Sequence, residues 1–102
     1  MGELTRVAAS KDIEAGQAIA VEVNGQRIAI FNLNGVFHAI GDTCTHRGGP
    51  LSQGKVKGST VTCPWHGAQF DIRTGNVLAP PAPTGVSSYK VVLEDGEIKI
   101  EV

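Results

Sequence analysis

The chain has 102 residues, 41% of them apolar and 19% charged, and a formal net charge of −1. That length suits one domain burying roughly 60–70% of its unfolded surface, and the composition excludes a disordered tail or a low-complexity linker. A balance so close to neutral gives no general attraction for nucleic acid or anionic lipid, and no apolar run approaches the ~20 residues that cross a bilayer.

The opening "MGELTRVAAS" is polar and mixed in charge, without the basic and then apolar pattern of a signal peptide, so a soluble cytoplasmic protein is expected. "SKDIEAGQ" (10–17) has room for one turn of helix. In "AIAVEV" (18–23), Ile19, Val21 and Val23 face one way and Ala18, Ala20 and Glu22 the other. Asn24-Gly25 leads into "QRIAIF" (26–31), and Asn34-Gly35 into "VFHAI" (36–40); both dipeptides suit tight hairpin turns, which need positive φ. "STVTC" (59–63) and "AQFDI" (68–72) read as short strands. The end, "SYKVVL-EDG-EIKIEV", reads as a hairpin with Ile98, Ile100 and Val102 on one face. No ten-residue helical period is present, so an all-β domain of small antiparallel sheets is expected. Two stretches do not fit strands: 42–58, rich in Gly and turn formers, and 79–85, "APPAPTG", whose prolines make a stiff surface loop.

Both cysteines sit close to a histidine, as Cys44-x-His46 and, after sixteen intervening residues, Cys63-x-x-His66. Two cysteines are too few for a disulfide framework, and a reducing compartment keeps them as thiols. Buried thiols with incidental histidines would explain either couple alone, but two couples in glycine-flanked loops make coincidence a weaker account. A Cys44–Cys63 disulfide leaves the histidines without a role, and a Cys–His nucleophile needs only one couple. A structural zinc site is chemically sensible, yet such sites usually pair Cys with Cys and His with His along the chain. One of each per loop suits a cluster of two irons and two sulfides, each loop giving its Cys to one iron and its His to the other. Oxidised, that cluster is neutral, whereas four thiolates would leave it at −2, so the imidazoles raise its potential.

At these residues the sequence resembles the Rieske family: "CTHRGGPL" and "CPWHGAQFD", followed by "RTG", match its two cluster-binding boxes. The resemblance implies a Rieske fold of three small antiparallel sheets over 1–102, with a cluster-binding subdomain at one tip (about 42–75). It implies one 2Fe-2S cluster, with Cys44 and Cys63 on the inner iron and His46 and His66 on the outer, more exposed one. "PPAP" (80–83) resembles the family's proline loop, putting Pro81 over the cluster, while the proline loop as a whole covers about 79–85. Trp65 is expected to pack over the cluster and exclude water, and Gly48, Gly49 and Gly67 to let backbone amides approach the sulfides. Membrane-bound respiratory members carry an extra cysteine in each box, where this chain has Gly49 and Trp65. They also carry hydroxyl residues where it has Ala68 and Phe70, which implies a potential near −150 mV, the low end of the Rieske range.

The chain therefore resembles the soluble Rieske ferredoxins of ring-hydroxylating dioxygenase systems. The resemblance implies an electron carrier rather than an enzyme, a monomer in isolation, taking electrons from a reductase to a terminal oxygenase-like protein. The small subunit of nitrite-reductase-type enzymes is a second reading, and a zinc-stabilised binding module a third. His38 reads as a structural side chain, and Asp71 and Arg73 as a solvated strand face. Arg47, Lys55, Lys57 and Arg73 lie in or beside the cluster loops and form a candidate docking collar, against an acidic segment at 94–102.

Overall fold

The computed structural model describes residues 4–43, 50–65, 67–79 and 85–101. Along the chain run strands β1 (Leu4–Ala9), β2 (Ala18–Val23), β3 (Gln26–Leu33), β4 (Val36–Gly41), β5 (Lys55–Lys57) and β6 (Thr60–Thr62). These are followed by β7 (Gln69–Asp71), β8 (Val77–Ala79), β9 (Ser88–Tyr89), β10 (Val91–Glu94) and β11 (Glu97–Glu101). They form three antiparallel sheets, ordered β1-β11-β10, β2-β3-β4-β9 and β5-β6-β7-β8. No helix among the described residues is long and apolar enough to cross a membrane.

The turn dipeptides do what their chemistry requires. Asn24 and Gly25 (φ 53° and 79°), Asn34 and Gly35 (56° and 91°) and Asp95 and Gly96 (52° and 76°) all lie in the left-handed region. Consecutive positive φ values match the right-handed twist of the strands they join. "SKDIEAGQ" supplies one tight turn, Ser10–Asp12, in which the Asp12 side chain accepts the Ala9 N–H at 3.1 Å.

The organising strand is β3. Ile28 and Ile30 enter a core with Ala8, Ile13, Ala39, Ile98 and Ile100, which joins the second sheet to the first. Ala29 and Phe31 point the other way, into a core with Ile40, Leu51, Val61, Cys63, Ala68, Phe70 and Ile72, which joins it to the third. A strand buried on both faces reads as a continuous apolar run rather than an alternation. β2, at an edge, keeps the alternation: Ile19, Val21 and Val23 face the first core and Ala18 the second.

The sequence reading needs four corrections. In "SYKVVL", read as one strand of the final hairpin, Ser88 and Tyr89 pair instead with β4 in the second sheet, and only Val91–Glu94 pairs with β11. The stretch 42–58, expected to lack strands, contains β5 and a 3-10 turn, Leu51–Gln53. "KVK" is weak by residue type, but its alternation exposes both lysines and packs Val56 on the core, opposite Val61 across the ladder. β1, in an opening that the sequence reading assigned to no element, is a strand because β11 gives it a partner from Leu4↔Glu101 to Ala9↔Glu97, with a bulge between Arg6 and Ala8. β8 pairs with β7 where no strand was expected. Of the proline loop, 80–84 lie outside the described residues. Its exit is anchored at both sides, for Val86 N–H donates to the Gly75 carbonyl (2.7 Å) and Gly41 N–H to the Ser87 carbonyl (2.8 Å). Gly75 has φ +82°, and a Cβ there would run into the Val86 carbonyl.

Candidate metal centre

Two loops leave the same core. The first starts at Thr43 and returns at Pro50, and these two residues form an isolated antiparallel bridge. The second starts at Cys63, whose N–H donates to the Ala68 carbonyl at 2.7 Å, while Gly67 N–H donates to the Cys63 carbonyl at 3.2 Å. The residues flanking the loops, Leu51, Cys63 and Ala68, belong to one apolar cluster, so the two bases share one floor. Gly67, at φ +78°, turns the second loop back toward that floor.

The first base is held by a residue that sequence reasoning passed over. Asp42 is fully buried. Its Oδ1 accepts the Ser52 N–H at 2.7 Å, and its backbone N–H and carbonyl pair with Arg27 (3.0 Å) and Leu51 (2.6 Å). Arg27 Nη2 reaches Oδ2 at 3.4 Å, but the Arg27 side chain is 60% exposed, so the amide is the stronger partner. A carboxylate that caps the turn after a cysteine loop has no spacing signature, though "GDTCTH" does place a charged residue beside the motif.

Among the candidate ligands, Cys63 is buried at 2% exposure, in the apolar cluster at the base of the second loop. Cys44, His46 and His66 lie outside the described residues, as do Arg47, Gly48, Gly49 and Pro81. Ala68 and Phe70 are fully buried. Trp65, expected to shut out water, is 57% exposed. It is not among the residues of the apolar cluster that takes in Cys63, Ala68 and Phe70. Among the described residues, no three His, Cys, Asp or Glu side chains gather into a metal site.

His38 is half-buried on the face of β4 that Ile40 turns toward the third sheet. Its pKa is lowered by burial first and by the Arg73 charge second, with Asp71 opposing. Asp71 is itself held below the usual carboxyl range, chiefly by the Arg73 backbone N–H at 2.8 Å. The Arg73 side chain also reaches Asp71 (3.5 Å), so this member of the collar is already partnered. Lys55 and Lys57 are exposed, and Arg47 lies outside the described residues.

The donor chemistry fits an iron–sulfur group: a cysteine in an apolar, water-poor setting suits a thiolate ligand to an inner metal. The profile described as "Rieske [2Fe-2S] domain" matches residues 3–90. The ferredoxin component of the p-cumate 2,3-dioxygenase system of Pseudomonas putida is 36% identical over 102 residues, 98% of this chain and 86% of that protein. A solved complex of reduced oxygenase and oxidized ferredoxin in carbazole 1,9a-dioxygenase matches with TM-score 0.89 at 30% identity, over 95% of this chain and 91% of the other. Mouse apoptosis-inducing factor 3 is 38% identical over 90 residues, but the chain spans only 15% of its length. The chain belongs to the Rieske [2Fe-2S] domain family, whose cofactor is one Rieske-type 2Fe-2S cluster.

Proposed function

We propose that this chain is a one-electron carrier in a multicomponent oxygenase system, taking electrons from a reductase to a terminal oxygenase-like protein. The observation that carries the reading is the pair of Cys–His loops whose bases share one apolar floor, with Cys63, the base of the second, buried in it. The roles of the relatives matched over most of their length support it. Cys44 and Cys63 would hold the inner iron and His46 and His66 the outer one, within a cluster-binding subdomain of about 42–75 under the proline loop 79–85. The setting is a cytoplasmic one, and the carrier is a monomer between encounters.

When bound, the cluster supplies a single-electron couple. The protein's own part is to hold that couple still and dry. The Thr43–Pro50 bridge and the Cys63–Ala68 hydrogen bond fix the loop ends. Leu51, Ala68 and Phe70 keep water from the Cys63 side. A carrier does no bond-making, so it needs an accessible tip rather than a substrate pocket, and Trp65 presents an exposed aromatic surface next to His66 in the chain. Aromatic side chains of this kind anchor protein contacts. Reductive titration of the purified protein should consume one electron per chain, with bleaching of a visible absorption that a terminal oxygenase restores. A colourless protein holding zinc would establish the binding-module reading instead.

A further inference from the structure

The outer face of the third sheet has a use that the carrier reading alone does not assign. Lys55 and Lys57 project from the side of β5 opposite Val56. Across the ladder Lys55 faces Thr62 and Lys57 faces Thr60, and Gln69 faces Thr62 from β7. These five residues line one open hollow of about 450 Å3. Thr62 and Gln69 are the chain neighbours of Cys63 and Ala68, the pair that closes the second loop. The hollow thus runs to the foot of the cluster site.

Among the described residues of the third sheet the one carboxylate on this face, Asp71, which faces Thr60 across the ladder, is engaged by Arg73, so neither lysine has a carboxylate of its own. Among the described residues, Arg6, Arg27, Arg73 and Lys99 each pair with a carboxylate, whereas Lys55 and Lys57 enter no ion pair. The two ammonium groups stem from positions about 7 Å apart on one face, at ~3.3 Å per strand residue. The Thr60 and Thr62 hydroxyls and the Gln69 amide add neutral hydrogen-bond donors between and beside them. The acidic residues Glu94, Asp95, Glu97 and Glu101 lie on a different sheet, in β10, β11 and their turn. Such a site complements carboxylate side chains on a shaped surface. Two lysines on a chain of net charge −1 are too few to hold a polyphosphate backbone or a lipid surface at cellular salt.

We propose that this hollow docks a carboxylate-rich surface segment of the protein that exchanges electrons with the chain, with Lys55 and Lys57 as the contacting cations. The inference rests on the carrier reading and narrows the candidate collar to those two lysines. Docking there would set the partner beside the second loop and raise the encounter rate in a salt-dependent way.

The test uses the cluster-loaded protein and a labelled hexaglutamate peptide, with hexaglutamine as the neutral control. Binding is read by fluorescence anisotropy at ~0.01 M and ~0.15 M salt, where the screening length falls from about 30 Å to about 8 Å. The expected result is saturable binding of hexaglutamate alone, weakened by salt and weakened at least about tenfold in K55E/K57E. K11E/K90E, the same change of charge at exposed lysines outside the third sheet, should bind as the wild type does. Absence of binding at low salt, or equal losses in the two double variants, would overturn the proposal. Tighter binding of phosphatidylglycerol vesicles or duplex DNA through Lys55 and Lys57 would overturn the acidic-protein assignment. Unchanged visible absorption in K55E/K57E isolates the effect to docking, whereas a wild-type protein without that absorption would strike the carrier reading itself.

Discussion

Replacing Asp42 by alanine removes the anchor of the first loop without touching a candidate ligand. The variant loses the 2.7 Å acceptor of the Ser52 N–H and the weaker 3.4 Å contact to Arg27. A hydrogen bond to a charged group contributes about 1.5–3 kcal/mol, and an ion pair with one exposed member less than about 1. Since Asp42 is fully buried, the orphaned amide has little water to turn to, so the total should be about 2–4 kcal/mol. For a domain near 100 residues that lowers the melting temperature by roughly 10–20 °C. Thermal unfolding followed by circular dichroism, with visible absorption as a second probe, should show the cluster signal lost at correspondingly lower temperature. Arg27→Gln should cost less than about 1 kcal/mol. An Asp42→Ala protein melting within about 3 °C of wild type, or an Arg27→Gln effect as large as that of Asp42→Ala, would refute the assignment of the anchor to the Ser52 amide.

His38 gives a pH dependence of defined sign. Its folded pKa is lowered from 6.5, so the unfolded chain binds the proton more readily. Its contribution is therefore intact above about pH 6.5 and is lost as pH falls through the lower folded value. Denaturant unfolding at pH 5 and 7.5 should show a smaller acid loss in His38→Gln than in wild type; parallel losses would contradict this. Ala68→Ser introduces a hydroxyl donor beside the site of Cys63, and at about 1.5–3 kcal/mol for a charge-assisted bond the midpoint potential should rise by roughly 65–130 mV. Protein-film voltammetry giving no rise, or a wild-type potential above about +100 mV, would contradict the low-potential reading. Trp65→Ala should leave stability within about 0.5 kcal/mol, as befits an exposed side chain, yet slow electron transfer to the oxygenase partner by roughly 30-fold, the equivalent of a 2 kcal/mol contact. Unchanged transfer would remove Trp65 from the contact surface.

Much of the fold was legible because its signals are local. Asn24-Gly25, Asn34-Gly35 and Asp95-Gly96 announce their turns through backbone chemistry, and the period-2 patterns of β2 and β11 report one buried face each. β1, β5 and β8 were not legible, because each is a strand by virtue of a partner distant in sequence rather than by its own residue types. The candidate site divides the same way. Cys–His spacing is written in the chain, whereas the anchoring by Asp42 exists only once Ser52 folds beneath it. The exposure of Trp65 was not legible either, since an aromatic residue in a motif suggests burial, whereas the apolar cluster that takes in Cys63, Ala68 and Phe70 leaves the indole outside it. The collar also needed the third dimension, since only the structure shows Arg73 spent on Asp71 and the two lysines left together.

The central claim is that Cys44, His46, Cys63 and His66 together hold an iron–sulfur cluster rather than a lone metal ion. Metal and acid-labile sulfide analysis of anaerobically purified protein tests it most directly. The account predicts two irons and two sulfides per chain in the wild type, with both lost in Cys63→Ser. One zinc per chain without sulfide would contradict it.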